Sequence, residues 1–194
     1  MIQLNAAAGP VASPFDPEQQ QRFDEGLTQA LAKYPPERTR AALLPALHLA
    51  QDLLGWLPAE AMAYVGLRLD IPPARVREVA TFYTMFRIKP VGAHHIEICN
   101  SVSCWAMGSE KLLRQCEAKL GLHKGEVSPD GKFSVGEVAC LAACGYGPAL
   151  IVNNYRFVEF VDEQKLDALL KELDAAPGNK MANFPAPADS GRGH

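Results

Sequence analysis

The 194-residue sequence contains no apolar run near the roughly 18 residues that a membrane-spanning helix needs. It has no excess of basic charge: 19 Lys and Arg stand against 22 Asp and Glu, for a net charge of −3. A balance that close leaves no electrostatic footprint for nucleic acid or an anionic membrane surface. The start, Met1-Ile2-Gln3-Leu4-Asn5-Ala6, lacks the basic and apolar regions of a secretory signal and the arginines of a mitochondrial presequence. The expectation is a cytoplasmic protein. No G-x-G-x-x-G follows a strand and no P-loop is present, so the usual glycine-rich nucleotide cradles are missing. Cysteine is scarce, five in all. Disulfides rarely persist in a reducing compartment, and paired cysteines there more often bind metal or carry redox chemistry.

The apolar fraction, 48%, suits a packed core. Residues 1–14 are mostly Ala, Gly, Pro and Ser and read as a disordered tail. Asp16-Pro17-Glu18-Gln19 reads as a helix start, with Asp16 as cap and Gln19 completing a capping box. Phe23, Leu27, Ala30, Leu31 and Tyr34 follow at helical spacing, and Pro35-Pro36 stops the run. A second helix is expected from about Thr39 to Leu54, kinked or delayed by Pro45 and closed by Gly55. Pro58 and Pro72-Pro73 open two more. Residues 15–90 therefore read as a small helical domain.

After Lys89-Pro90 the character changes. His94-His95-Ile96-Glu97-Ile98-Cys99 alternates as a strand does, and Gly108 to Leu120 is helical. Phe133 to Ala139 reads as a second strand. Ala149 to Val152 and Arg156 to Phe160 read as a hairpin turned by Asn153-Asn154. Asp162 caps a last helix whose buried side carries Leu166, Leu169, Leu170 and Leu173. The order over 91–175 is β-α-β-β-β-α, the thioredoxin-like arrangement, with a right-handed crossover. The chain is thus expected to be α+β, a helical domain followed by a thioredoxin-like α/β domain. Residues 176–194 read as a flexible tail.

Four cysteines form the pattern C-x4-C, a gap of 35 residues, then C-x3-C: Cys99 and Cys104, Cys140 and Cys144. Each pair falls at the end of a strand, Cys99 closing the first and Cys140 the second. Parallel neighbours would bring both pairs to one sheet edge, where such folds place ligands. A [2Fe–2S] cluster takes this set, since each iron needs two protein sulfurs beside the bridging sulfides. Gly145 and Gly147 would let the backbone approach the sulfurs. A zinc site with four cysteines remains open on spacing alone. Two disulfides would need an oxidising compartment, and a redox dithiol needs only one pair, as C-x-x-C. The spacing of a plant-type ferredoxin is absent. His94 and His95 sit at the wrong interval for a Rieske centre and read as strand side chains, one inward and one outward. Cys116 falls on the apolar face of its helix with Leu112, Leu113 and Leu120, as a buried small hydrophobe. Trp105 and Met107 read as packing residues. Phe82, Tyr83, Met85 and Phe86 read as core or contact residues, part of which could dock a partner.

Together Ala80-Thr81-Phe82-Tyr83-Thr84-Met85-Phe86, the two cysteine pairs, Pro129-Asp130-Gly131 and Cys140-Leu141-Ala142-Ala143-Cys144-Gly145 with Pro148 carry a resemblance. So does the stretch from Leu43 to Pro58. The chain resembles the thioredoxin-like [2Fe–2S] subunit (NuoE-type) of respiratory NADH:quinone oxidoreductase, complex I, over about residues 16–175. The resemblance implies one [2Fe–2S] cluster on Cys99, Cys104, Cys140 and Cys144. It implies a place beside a flavoprotein subunit that binds FMN and NADH, among the hydrophilic-arm subunits, peripheral to the inner (cytoplasmic) membrane. The chain would exchange single electrons with that FMN and would not be catalytic alone. Similar subunits occur in NAD-linked hydrogenases and formate dehydrogenases. A zinc-stabilised interaction module is the reading of another class.

Overall fold

The computed structural model describes residues 12–176. The expected tails, 1–14 and 176–194, lie outside the described residues except for 12–14 and Ala176. Two compact units meet in sequence at Lys89 and Pro90.

Among the described residues, the first unit holds four α-helices. Helix α1 spans Pro17–Leu31, and its N-terminus is the expected capping box: Asp16 accepts from the Gln19 N–H at 2.8 Å and Gln19 Oε1 accepts from the Asp16 N–H. A 3-10 stretch, Pro36–Ala42, precedes α2, Leu43–Leu54. The second helix thus starts late, which resolves the conflict at Pro45. That residue falls in the first turn of α2, where a missing N–H costs no intrahelical bond. Gly55 closes α2 in the left-handed region, at φ 84°. Helices α3, Ala59–Leu69, and α4, Pro73–Phe82, complete the unit around Phe23, Leu27, Leu47, Ala50, Leu57, Val65 and Val76. One polar side chain is fully buried there. Gln51 donates to the Met85 carbonyl at 3.0 Å and accepts from the Arg87 N–H at 2.6 Å, which fastens the segment after α4. Within that segment only Phe86 is core. Phe82 is 77% exposed, and Tyr83 and Met85 also reach the surface.

The second unit is a four-stranded sheet in the order β2-β1-β3-β4. Strand β1, His94–Cys99, is followed by a short helix α5, Val102–Ala106, which the sequence pattern did not reveal. Then come α6, Ser109–Leu120, and β2, Phe133–Val138. Strands β3, Leu150–Val152, and β4, Arg156–Val158, form the hairpin, and α7, Glu163–Ala175, ends the unit. Strands β1 and β2 are parallel neighbours, Ile96 beside Val135; β3 runs antiparallel to both β1 and β4. Ile96 and Ile98 pack with Leu112, Leu113 and Cys116 of α6 and with Leu166, Leu169 and Leu173 of α7 in one core. The hairpin turns at Asn153 and Asn154, with φ 53° and 66°. Asn153 does more than tolerate that conformation: its carbonyl oxygen accepts from the His95 N–H at 2.7 Å and its amide donates to the Ala93 carbonyl at 2.9 Å.

Three expectations need correction. His94 and His95 are both buried, because β1 is an interior strand. The His94 ring lies against Phe133, and His95 Nδ1 meets Ser134 Oγ at 2.7 Å on the opposite face. Trp105 and Met107 are not packing residues; they are 61% and 48% exposed, on the outer side of a helix too short to bury all its faces. Strands β2 and β4 stop early, at Val138 and Val158. Cys140 therefore lies two residues beyond its strand. Phe160 leaves the hairpin in the left-handed region, at φ 48°, with its N–H bonded to the Tyr146 carbonyl.

Candidate functional site

Parallel pairing sets the site. Cys99 is opposite Val138 in the last register pair of β1 and β2. Both strands release their chains at the same edge. The Asn100 N–H bonds the Val138 carbonyl and the Cys99 N–H bonds the Ala149 carbonyl, which ties the first cysteine to the strand on either side. From there α5 turns Cys104 back toward Cys99. The Trp105 N–H bonds the Ser101 carbonyl, and Cys104 is 1% exposed.

Cys99, Cys104, Ala143 and Ala149 form one small buried cluster, with Val138 and Leu141 packed on it. Residues adjacent to both later cysteines, Leu141 beside Cys140 and Ala143 beside Cys144, thus touch the first pair. Cys140 and Cys144 themselves are exposed. All five cysteines are free thiols, and Cys116 stands apart, fully buried in the helix-side core. Burial, with Glu117 nearby, pushes its thiol up to about 12, so it is inert at neutral pH.

The first pair behaves as a unit. Burial pushes the Cys99 thiol up, but the Ser101 hydroxyl, the backbone at Ser101 and Leu141 and the Cys104 side chain favour its thiolate, outweigh burial and hold it below the ordinary thiol value. Cys104 goes the other way. Burial and the neighbouring Cys99 raise it, against a hydrogen bond from the Ala149 N–H. The Ala142 N–H points at Cys140 Sγ at 3.3 Å, with Ala142 itself at φ 56°. Sulfur at this edge is therefore met by backbone donors from both loops.

Those features fit a [2Fe–2S] cluster. Bound thiolates carry net negative charge, and N–H donors aimed at the sulfurs offset it. A two-iron cluster takes two protein sulfurs per iron, which two separate pairs supply. The loop after Cys144 also shows a close approach. A Cβ on Gly147 would lie 3.2 Å from Cys104 Sγ and 3.2 Å from Met107 Sδ, whereas a Cβ on Gly145 would meet nothing within 4 Å. Of the two glycines, only Gly147 is crowded within this chain. The peptide from Gly147 to Pro148 is cis.

Beside the loops the surface is apolar. Val102, Trp105, Met107, Tyr146 and Phe160 are exposed, and the Tyr146 and Phe160 rings meet edge to face at 5.6 Å. A cleft of about 330 Å³ opens between Met107, Gly147, Pro148 and Phe160 on one side and the starts of α6 and α7 on the other. Sequence reasoning missed Ser101. The short helix that follows it left no signal in the sequence, and only the fold puts its hydroxyl beside Cys99.

Residues 27–174 match the family described as thioredoxin-like [2Fe–2S] ferredoxin. The NADH-quinone oxidoreductase E subunit of Rickettsia bellii is 44% identical over 144 residues, 74% of this chain and 86% of that one. NADH-quinone oxidoreductase subunit 2 of Thermus thermophilus is 37% identical over 165 residues, 85% of this chain and 90% of that one. Among solved structures, an NAD+-reducing [NiFe]-hydrogenase in the air-oxidized state superimposes with a TM-score of 0.62 at 28% identity over 74% of this chain. The match spans only 24% of that longer chain. With the cysteine edge, the parallel β1/β2 pair and a family match covering most of the sequence, the chain belongs to the thioredoxin-like [2Fe–2S] ferredoxins.

Proposed function

We propose that this chain is the electron-transfer subunit of an NADH:quinone oxidoreductase, with one [2Fe–2S] cluster held by Cys99 and Cys104 from one loop and Cys140 and Cys144 from the other. The observation that carries the ligand set is the contact between loops: Leu141, next to Cys140, and Ala143, next to Cys144, pack in one cluster with Cys99 and Cys104. When bound, the cluster supplies one-electron storage. The chain's own residues do the rest. Strands β1 and β2 fix the two loops at one edge. The N–H groups of Ser101, Leu141, Ala142 and Ala149 oppose the charge on the sulfurs. Ala143 and Ala149 exclude water from the inner pair.

The electron comes from a partner. The chain carries no glycine-rich nucleotide cradle of its own, so the two-electron chemistry of NADH belongs to a flavoprotein subunit holding FMN. Its place of contact is the apolar rim of Val102, Trp105, Tyr146 and Phe160, which brings a flavin near the cysteine edge. No helix among the described residues is long and apolar enough to cross a membrane. The assembly of this chain with hydrophilic-arm subunits on the cytoplasmic face of the membrane belongs to the same proposal. The parsing into a helical domain, 15–90, and a cluster domain, 91–175, belongs to it as well.

A second reading keeps the chemistry and changes the machine. Likeness to a chain of an NAD+-reducing hydrogenase favours it, though at 28% identity against 44% for the Rickettsia bellii protein. Affinity purification of the tagged chain separates the two. Co-purifying quinone-reductase subunits are the expected result; a nickel-bearing subunit in their place overturns the assignment. Replacing Cys99, Cys104, Cys140 or Cys144 singly by Ala is expected to abolish or badly destabilise the cluster. Full iron and sulfide content in any one variant removes that cysteine from the ligand set.

A further inference from the structure

Ser101 occupies the N-cap position of α5, with φ −59° and ψ 158°. A serine there ordinarily accepts a hydrogen bond from an N–H of the first turn. This one makes no capping bond. Its Oγ lies 3.4 Å from Cys99 Sγ. The hydroxyl therefore sits beside the Cys99 thiol, half-buried and unbonded to the helix it would cap.

We propose that the Ser101 hydroxyl tunes the cluster, donating its hydrogen to the Cys99 sulfur and raising the reduction potential. The inference rests on the ligand set proposed above. In the free thiol the Cys99 S–H points at Ser101 Oγ. A cysteine bound to iron has lost that proton, so the hydroxyl becomes the donor in the same contact. Reduction adds one electron, breaks no bond and takes up no proton at this pair. The added negative charge spreads onto the sulfurs. An O–H dipole aimed at one of them is worth more in the reduced state than in the oxidised state. Ser101 acts through Cys99, so it is a positioning residue and not a ligand. The backbone donors from Ser101, Leu141 and Ala149 remain when the hydroxyl is removed, which makes the effect graded.

Four forms of the full chain test this: wild type, S101A, and the isosteric pair S101T and S101V. Each is loaded and assayed for iron and sulfide, then titrated with dithionite and mediators while the reduced cluster is followed by EPR. S101A and S101V are expected to lower the ratio of reduced to oxidised cluster at fixed potential by up to about tenfold, which is about 59 mV for one electron. S101T is expected to titrate with wild type. Should S101A fail to load, the Thr and Val forms decide, since they share a shape and differ in the hydroxyl. Loaded clusters with unmoved potentials in S101A and S101V overturn the assignment. An equal fall in S101T and S101V also overturns it, because the hydroxyl is then not the cause. Failure of the ligand set shows earlier and separately, as a wild-type chain without iron and sulfide.

Discussion

Gly147 gives the sharpest structural test of the cysteine edge. In Gly147→Ala the new Cβ would stand 3.2 Å from Cys104 Sγ, 3.2 Å from Met107 Sδ and 3.5 Å from Cys104 Cα. Non-bonded heavy atoms are comfortable at roughly 3.5–4.0 Å, so two contacts are short by about 0.3 Å or more. Met107 is half exposed and can swing away. Cys104 cannot, because α5 and the Ala149 N–H fix it and iron binding would fix it further. Overpacking of this kind costs about 1–3 kcal/mol. Gly145→Ala is the control, since its Cβ would meet no atom within 4 Å and its φ lies outside the left-handed range. A surface change of that sort stays within about 0.5 kcal/mol. Urea unfolding of the loaded chain measures both, and the decay of cluster absorbance after loading reads the effect on the metal. Gly147→Ala is expected to lose stability and shed its cluster sooner, while Gly145→Ala does neither. Equal behaviour of the two variants would show that the loop does not approach Cys104 closely.

Three further predictions concern two groups away from the edge. Cys116→Ala is expected to keep the full cluster and cost about 1–2 kcal/mol in unfolding experiments, the loss of one buried sulfur from a closed core. With its thiol pushed up to about 12, Cys116 should also stay unalkylated in the folded chain at about pH 8, where an ordinary exposed thiol near 8.5 reacts; mass spectrometry reads the label, and labelling of Cys116 contradicts its burial. His94 makes stability pH-dependent. Burial, then Lys132, lowers its pKa, and both ring nitrogens are buried without a hydrogen-bond partner. The unfolded chain takes up a proton there as pH falls through about 6.5 and the folded chain takes it up only at lower pH. Stability must therefore fall toward acid, by at most about 1.4 kcal/mol per pH unit for this group. His94→Leu should flatten urea midpoints measured from about pH 7.5 to 5.5, leaving the part due to His48, whose pKa burial also lowers. A slope equal to wild type would mean that His94 does not resist protonation.

Much of this was legible in the residues because proline and glycine punctuate the chain. Asp16-Pro17, Pro58 and Pro73 mark three helix starts, and Gly55 and Gly121 close two helices. Strand β1 could be read from alternation. Its parallel pairing with β2 followed from the long crossover between them, and that pairing is what brings both cysteine loops to one edge. Burial was less legible. His94 and His95 look like an inward and an outward residue until β1 is seen to be interior, with neighbours on both sides. Trp105 reads as core by type, yet five residues of helix cannot bury it. Gly145 and Gly147 are alike in sequence, and only the path of α5 past Cys104 distinguishes them. Ser101 was hidden for the same reason. Its chemistry depends on where α5 turns, and no spacing rule encodes that turn.

The central claim is that four thiols at one sheet edge hold one two-iron cluster. Iron and acid-labile sulfide, measured on the chain purified without oxygen together with EPR after dithionite reduction, test it most directly. The account predicts two irons and two sulfides per chain and a reduced signal from a single unpaired electron. A colourless chain carrying one zinc, with no sulfide and no signal, would contradict it.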